Sequence, residues 1–314
     1  MDEHGFMNRV LVAYDGSEGA REAMADLRNA GFSGATEALV LAVADVYLPP
    51  AEAAGQPADN GVPRSIVEAR RKAHDHLNEK LSAAKEGAAA LGLMFPAWKI
   101  EAGVVADSPA WGVIMKAKEW GADWVVMGSH GRSLLHRLFL GSVAQKVATE
   151  AHCSARIFRR RQASAASDPL KILLCVDGSS SSGKALQSVA TREWPQGTEV
   201  RVVTVVDTKL QSALAWPEFL GRRWADVGPG EIGERVAQVN QHAGEVLRAP
   251  GRVSVETALL HGDPKEALLG AIEEWKPHMI CIGARGLNHG DRLFLGTTAS
   301  ALAARAACAV EIIR

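Results

Sequence analysis

The sequence predicts an α/β protein of two tandem, doubly wound domains, each a five-stranded, mainly parallel sheet with helices on its faces. Three observations carry that reading. The pentapeptide Arg137-Leu-Phe-Leu-Gly141 returns as Arg292-Leu-Phe-Leu-Gly296. An apolar run ending in Asp-Gly-Ser opens each half, Val10 to Ser17 in the first and Ile172 to Ser179 in the second. Between these markers, short β-branched runs alternate with long segments rich in Ala, Leu, Glu and Lys, as parallel strands joined by crossover helices require.

The repeat spans a whole domain. Aligning on the pentapeptide also superposes Pro109 on Pro264, Glu119-Trp120 on Glu274-Trp275, Gly128 on Gly283, Gly131 on Gly286 and Cys153 on Cys308. The 314 residues, 47% of them hydrophobic, suffice for two domains of the usual size. Arg159 to Pro169, rich in Arg, Ser and Ala and ending in a proline, shows no apolar periodicity. The expected organisation is a first domain over 1–160, a linker over 161–169 and a second domain over 170–314.

In chain order, the first copy reads as strands near 9–14, 37–44, 97–102, 123–127 and 155–159, with helices near 18–30, 64–91, 108–120 and 142–151. The second reads as strands near 170–176, 198–206, 252–259, 278–282 and 309–313, with helices between them. Leu48 to Pro63, dense in Pro and Gly, is expected to be an irregular loop after the second strand, and Thr208 to Gly230 is its counterpart. Loops of this length often serve as lids or interaction surfaces.

Composition excludes several functions. Lys+Arg 35 against Asp+Glu 36 gives a net charge of -1, and no like-charged block exceeds Arg159-Arg160-Arg161, so nothing points to nucleic acid. Cys153, Cys175, Cys281 and Cys308 stand singly beside apolar runs, without the close pairing of zinc or redox sites, and read as reduced core residues. The segment from Met1 to Val10 lacks a basic leader, and no stretch of about 18 apolar residues occurs, so the expected location is cytoplasmic with no membrane contact.

The chemistry concentrates after the fourth strand of each copy. Gly128-Ser-His-Gly131 is followed after nine residues by Gly141-Ser142, and Gly283-Ala-Arg-Gly286 after nine by Gly296-Thr297. The first two glycines are expected to turn tightly with positive φ and to admit a ligand where a Cβ would collide. The Gly-Ser or Gly-Thr opens a helix whose free N–H groups and dipole favour phosphate. Ligands of open α/β sheets bind beyond the carboxyl ends of the strands at the switch point, where Asp15 and Asp177 end the first strands. Their carboxylates could accept from ribose or base, or serve as helix N-caps. Neither a G-x4-G-K-[S/T] loop nor a dinucleotide fingerprint is present, and no lysine for fast phosphoryl transfer can be named.

These motifs resemble the ATP-binding branch of the universal stress protein family, over essentially the whole chain and twice. The resemblance implies an adenine nucleotide alpha hydrolase-like fold with ATP, accompanied by Mg²⁺, as cofactor. It implies that Asp15 and the Val43 backbone hold the nucleoside, while Met127, Gly128, Gly131, Gly141, Ser142 and Val143 line ribose and phosphates. Asp177, Val205, Ile282, Gly283, Gly286, Gly296, Thr297 and Thr298 would do so in the second copy, and His130 and Arg285 occupy matching loop positions within reach of phosphate. The copies differ between their glycines, with Arg132, His136 and Arg137 in the first and Asn288, His289, Asp291 and Arg292 in the second. Two unequal sites follow, the first tighter, because Asp291 adds negative charge near a triphosphate.

The same resemblance implies that the last strands of the two domains pair about a pseudo-two-fold axis. Arg156 would then meet Glu311, opposite charges where identical domains would oppose like ones. A further homodimer is compatible with the sequence. Other conspicuous residues read as structural: His74 and His76 as solvent-facing, Trp120 and Trp275 as core packing, Arg159 to Arg161 as a solvated linker. The leading function is an ATP-binding stress or signalling module. The alternatives are a slow Mg²⁺-dependent ATP hydrolase and a nucleotide-free scaffold.

Overall fold

Runs such as Val10-Leu-Val12 and Ile172-Leu-Leu174 are apolar at every position because both faces of a parallel sheet are covered. In the computed structural model, which describes residues 8–46, 64–130, 140–160, 168–207, 231–286 and 295–314, these runs are completely buried. Successive residues serve opposite cores. Leu11, Val125 and Ile157 pack on one face of the sheet, and Val10, Val12 and Val126 on the other.

The first half contains β1 (Asn8–Ala13), α1 (Glu18–Ala25) with a 3-10 turn over Asp26–Asn29, β2 (Thr36–Ala44) and α2 (Arg64–Met94). It continues with β3 (Lys99–Ala106), α3 (Pro109–Trp120), β4 (Trp124–Gly128), α4 (Ser142–Glu150) and β5 (Ser154–Phe158). The second half contains β6 (Lys171–Cys175), α5 (Ser180–Thr191), β7 (Glu199–Val206) and α6 (Glu231–Arg248). It ends with β8 (Ser254–His261), α7 (Pro264–Trp275), β9 (Met279–Gly283), α8 (Thr297–Arg305) and β10 (Ala309–Ile313). The loops expected near 48–63 and 208–230 lie outside the described residues.

Local signals set several ends. Proline at the first turn opens α3 and α7, and Gly121 closes α3 in the left-handed region at φ 70°. Sequence periodicity is weakest at the outer strands β3 and β8. They run two to four residues further toward the C-terminus than expected, because their alternating half-exposed residues lack the apolar run of an inner strand.

The ten strands form one sheet in the order β3-β2-β1-β4-β5-β10-β9-β6-β7-β8. Among the described strands pairing is parallel within each half, with Val12 opposite both Val40 and Val126, and antiparallel only between β5 and β10. The carboxyl ends of the two halves therefore point in opposite directions. Both cores run through both halves: Leu41, Val113 and Ile157 share a cluster with Ile280, Leu302 and Val310, and Met24 and Leu91 share the other with Val189 and Leu247.

At the junction Glu311 stands in register with Arg156, both with at most 1% of their surface exposed. Arg156 binds Glu311 at 2.5 Å and Asp26 at 2.5 Å, and Arg192 binds the second Glu311 oxygen at 2.6 Å. Burial works to raise the Glu311 carboxyl, but Arg192 and Arg156 outweigh it and hold its pKa at about 2. The two cations and two anions compensate one another, which is the condition for keeping such charges out of water.

Candidate functional site

The first strand of each half leads into the same turn. Asp15 Oδ1 accepts from the Ser17 amide at 2.9 Å and Asp177 Oδ1 from the Ser179 amide at 2.9 Å, across Gly16 and Gly178 at φ 77° and 78°. Ser17 and Ser179, not the aspartates, are the N-caps, accepting from Ala20 and Ser182 amides at 3.1 Å each. Asp15 and Asp177 instead shape the turn beside the switch point.

The glycine loop closes over that turn. A Cβ on Gly128 would lie 2.9 Å from the Gly19 carbonyl oxygen, and one on Gly141 would lie 3.0 Å from that of Ser129. In the second copy, a Cβ on Gly283 would lie 2.6 Å from the Ser181 backbone, and one on Gly286 would lie 3.1 Å from Asp177 Oδ2. Gly128, Gly283 and Gly286 are absent from the positive-φ positions, so the expected left-handed turn is corrected: close approach of a neighbouring backbone demands Gly128 and Gly283, and the Asp177 carboxylate crowds Gly286. Gly131 lies outside the described residues, as do Arg132, His136, Arg137, Asn288, His289, Asp291 and Arg292.

Each loop is tied into its own sheet and to its own helix. Ser129 donates its amide to Phe158 at 2.9 Å and Gly141 donates to Ser129 at 2.8 Å. Ala284 donates to Ile313 and Gly296 to Ala284, both at 2.8 Å. Gly141 and Gly296 precede α4 and α8 with no side-chain cap, so the first-turn amides of both helices open toward the cavity.

The first cavity, about 590 Å³, is lined by Asp15, Val43, Met127 and Gly128 and by His130, Gly141, Ser142 and Val143. The second, about 330 Å³, is lined by Asp177, Val205, Ile282 and Gly283, by Arg285 and Gly286, and by Gly296, Thr297 and Thr298. The structure thus gathers the candidate residues it describes into two equivalent places. His130 Nδ1 lies 3.0 Å from Ser129 Oγ, while its buried Nε2 has no hydrogen-bond partner among the described residues.

Sequence reasoning missed the contribution of α2. His76 and Lys80, one turn apart on that helix, both line the first cavity, so His76 is half-buried rather than solvent-facing; His74 is exposed. Lys80 is 9% exposed and makes no ion pair or hydrogen bond among the described residues. The i,i+4 spacing of a histidine and a lysine on a long helix was the available signal. Among the described residues no α6 side chain lines the second cavity, where Asp263 and Lys265 at the start of α7 supply charge instead. Asp45 and Asp207, ending equivalent strands, were also overlooked.

Two further expectations are settled nearby. Trp120 and Trp275 pack against the core, with Arg9 and Arg201 over their rings at 5.5 Å and 4.6 Å. Arg159 is no solvated linker residue: it is buried and donates to carbonyls of the second half. Arg160 is exposed and pairs with Glu18 and Glu22, and Arg161 lies outside the described residues.

Comparison with known proteins gives one family. The model of the universal stress protein family matches residues 7–159 and again 170–314. A universal stress protein of Thermus aquaticus is 27% identical over 143 residues, covering 46% of this chain and 97% of that protein. A universal stress protein from Archaeoglobus fulgidus superposes at a TM-score of 0.62 with 22% identity, covering 98% of each chain. A structure from Pseudomonas aeruginosa superposes at 0.54 with 12% identity, covering 98% of this chain and 92% of that one. No helix among the described residues is long and apolar enough to cross a membrane.

Proposed function

This chain belongs to the universal stress protein family, with two tandem copies of its domain, and from that premise we propose that it is an ATP-binding stress-response or signalling module. The observation that carries the proposal is the first cavity. It joins an uncapped helix N-terminus, the orphaned imidazole nitrogen of His130 and a buried ammonium, Lys80, that has no carboxylate partner among the described residues. A buried cation without a counter-charge is unfavourable unless an anion arrives. A ligand phosphate meets all three groups with charge-assisted hydrogen bonds.

The rest of the ligand follows from the opposite wall. Val43 and Val113 give it an apolar surface fit for a purine, and Asp15 and Asp45 offer carboxylates to sugar hydroxyls. The volume of about 590 Å³ falls within the range of small-molecule sites. Mg²⁺ accompanies the triphosphate and offsets its repulsion from these aspartates.

The two sites are unequal in this reading. The second cavity is smaller, at about 330 Å³, and has no counterpart of Lys80 among the described residues, so the first site binds tighter. The test is to denature the purified protein, identify released nucleotide by mass, and titrate the stripped protein with ATP and Mg²⁺ calorimetrically. Adenine nucleotide near one per chain, with a weaker second event on titration, is the expected result. No nucleotide and no heat would overturn the proposal in favour of a scaffold, and two equal sites would overturn the inequality.

A further inference from the structure

Arg159 and Arg314 follow β5 and β10 directly and hold equivalent positions in the two copies. Each reaches across the junction into the other half. Arg159 donates to the carbonyls of Ala303 and Ala304 at 2.7 Å each and of Ala306 at 3.0 Å, at the C-terminal end of α8. Arg314 donates to the carbonyls of Ala148 at 2.5 Å and Thr149 at 3.2 Å, at the C-terminal end of α4, and of Cys153 at 3.1 Å, just before β5. Ala148 and Thr149 are the counterparts of Ala303 and Ala304, so these two contacts on each side obey the pseudo-two-fold axis, while the third differs, Cys153 for Arg314 against Ala306 for Arg159.

Neither guanidinium has a carboxylate partner among the described residues. Burial lowers the pKa of both, and each cation meets backbone carbonyls at the negative end of a helix dipole. The carbonyls of Ala148, Thr149, Ala303 and Ala304 are among the last four of their helices, which a helix leaves unpaired. The opposite ends of the same two short helices, at Gly141-Ser142 and Gly296-Thr297, line the two cavities. The residues preceding the arginines, Phe158 and Ile313, accept the amides of Ser129 and Ala284 in the glycine loops of their own halves.

We propose that Arg159 and Arg314 are crossed positioning residues: Arg314, from the second half, sets α4 for the phosphate group at the first site, and Arg159, from the first half, sets α8 at the second. Helices of nine residues span only about 13 Å, so a shift at the capped end moves the amides at the other. Each site is therefore complete only when the other half is docked. The inference rests on the nucleotide reading for its binding arm but not for its structural arm.

The test is hydrogen exchange of the full chain, free and during titration with ATP and Mg²⁺, following residues 142–150 and 297–305 separately. Arg314→Gln is expected to speed exchange in 142–150 by roughly tenfold and to weaken ATP protection there by a similar factor, with 297–305 unaffected. Arg159→Gln gives the mirror image. Arg314→Lys, which keeps the charge but not the fork, falls between wild type and Arg314→Gln and serves if Arg314→Gln fails to fold. Faster exchange confined to the arginine's own half, equal change in both helices, or no change overturns the proposal. If ATP protects neither helix in the wild type, the nucleotide reading fails, while the exchange of the free variants still decides whether the caps are crossed.

Discussion

Lys80 and Glu311 are both buried charges, and they differ in what compensates them. Glu311 faces two arginines, whereas Lys80 faces a cavity. Replacing Lys80 with Met should therefore remove an uncompensated ammonium: the melting temperature rises by about 1–3 °C, while ATP affinity at the first site falls roughly tenfold. Opposite movement of thermal unfolding and calorimetric affinity is the signature; a loss of both would place Lys80 in the fold rather than the site.

Glu311 behaves in the reverse sense. Its folded pKa of about 2 lies below its ordinary 4.5, so its contribution is complete above the ordinary value and is lost as pH falls toward 2. Glu311→Gln should cost about 3–5 kcal/mol at neutral pH, since Arg156 and Arg192 remain buried with less counter-charge. It should also flatten the fall in stability below the ordinary carboxylate range, measured by denaturant unfolding at a series of acidic pH values. An unchanged acid profile would show that Glu311 does not carry that dependence.

At the scale of single elements, chain chemistry decides beginnings and ends. Ser17 caps α1 and Ser179 caps α5, and each Ser→Ala change should cost about 1 kcal/mol in denaturant unfolding. The Asp-Gly-Ser triplet announced this turn, but its sequence could not say which of two capping residue types would cap. Geometry gives the serine the amide three residues on and leaves the aspartate the amide two residues on. The glycine loops were equally visible as a repeated spacing. Their reason was not, because a glycine required by a neighbouring backbone looks the same in sequence as one required by its own φ.

Across the whole molecule, two cores cross the junction without interruption and one sheet joins both halves. Heat should unfold the chain in one transition, with tryptophan fluorescence and circular dichroism coinciding. Two resolved transitions would show that the halves melt separately. Glu311→Gln should lower that single transition as a unit.

The repeat, the ten described strands, the glycine-led helix starts and the paired aspartates were legible because each is a local pattern, written in periodicity and in the few residues a turn or cap accepts. What only the tertiary structure decided are meetings between residues far apart in the chain. Lys80 lines the same cavity as Asp15 because a long helix packs across the sheet, and Arg159 and Arg314 exchange halves because β5 and β10 run antiparallel. Packing of that kind depends on the simultaneous fit of many surfaces, and no single stretch of sequence records it.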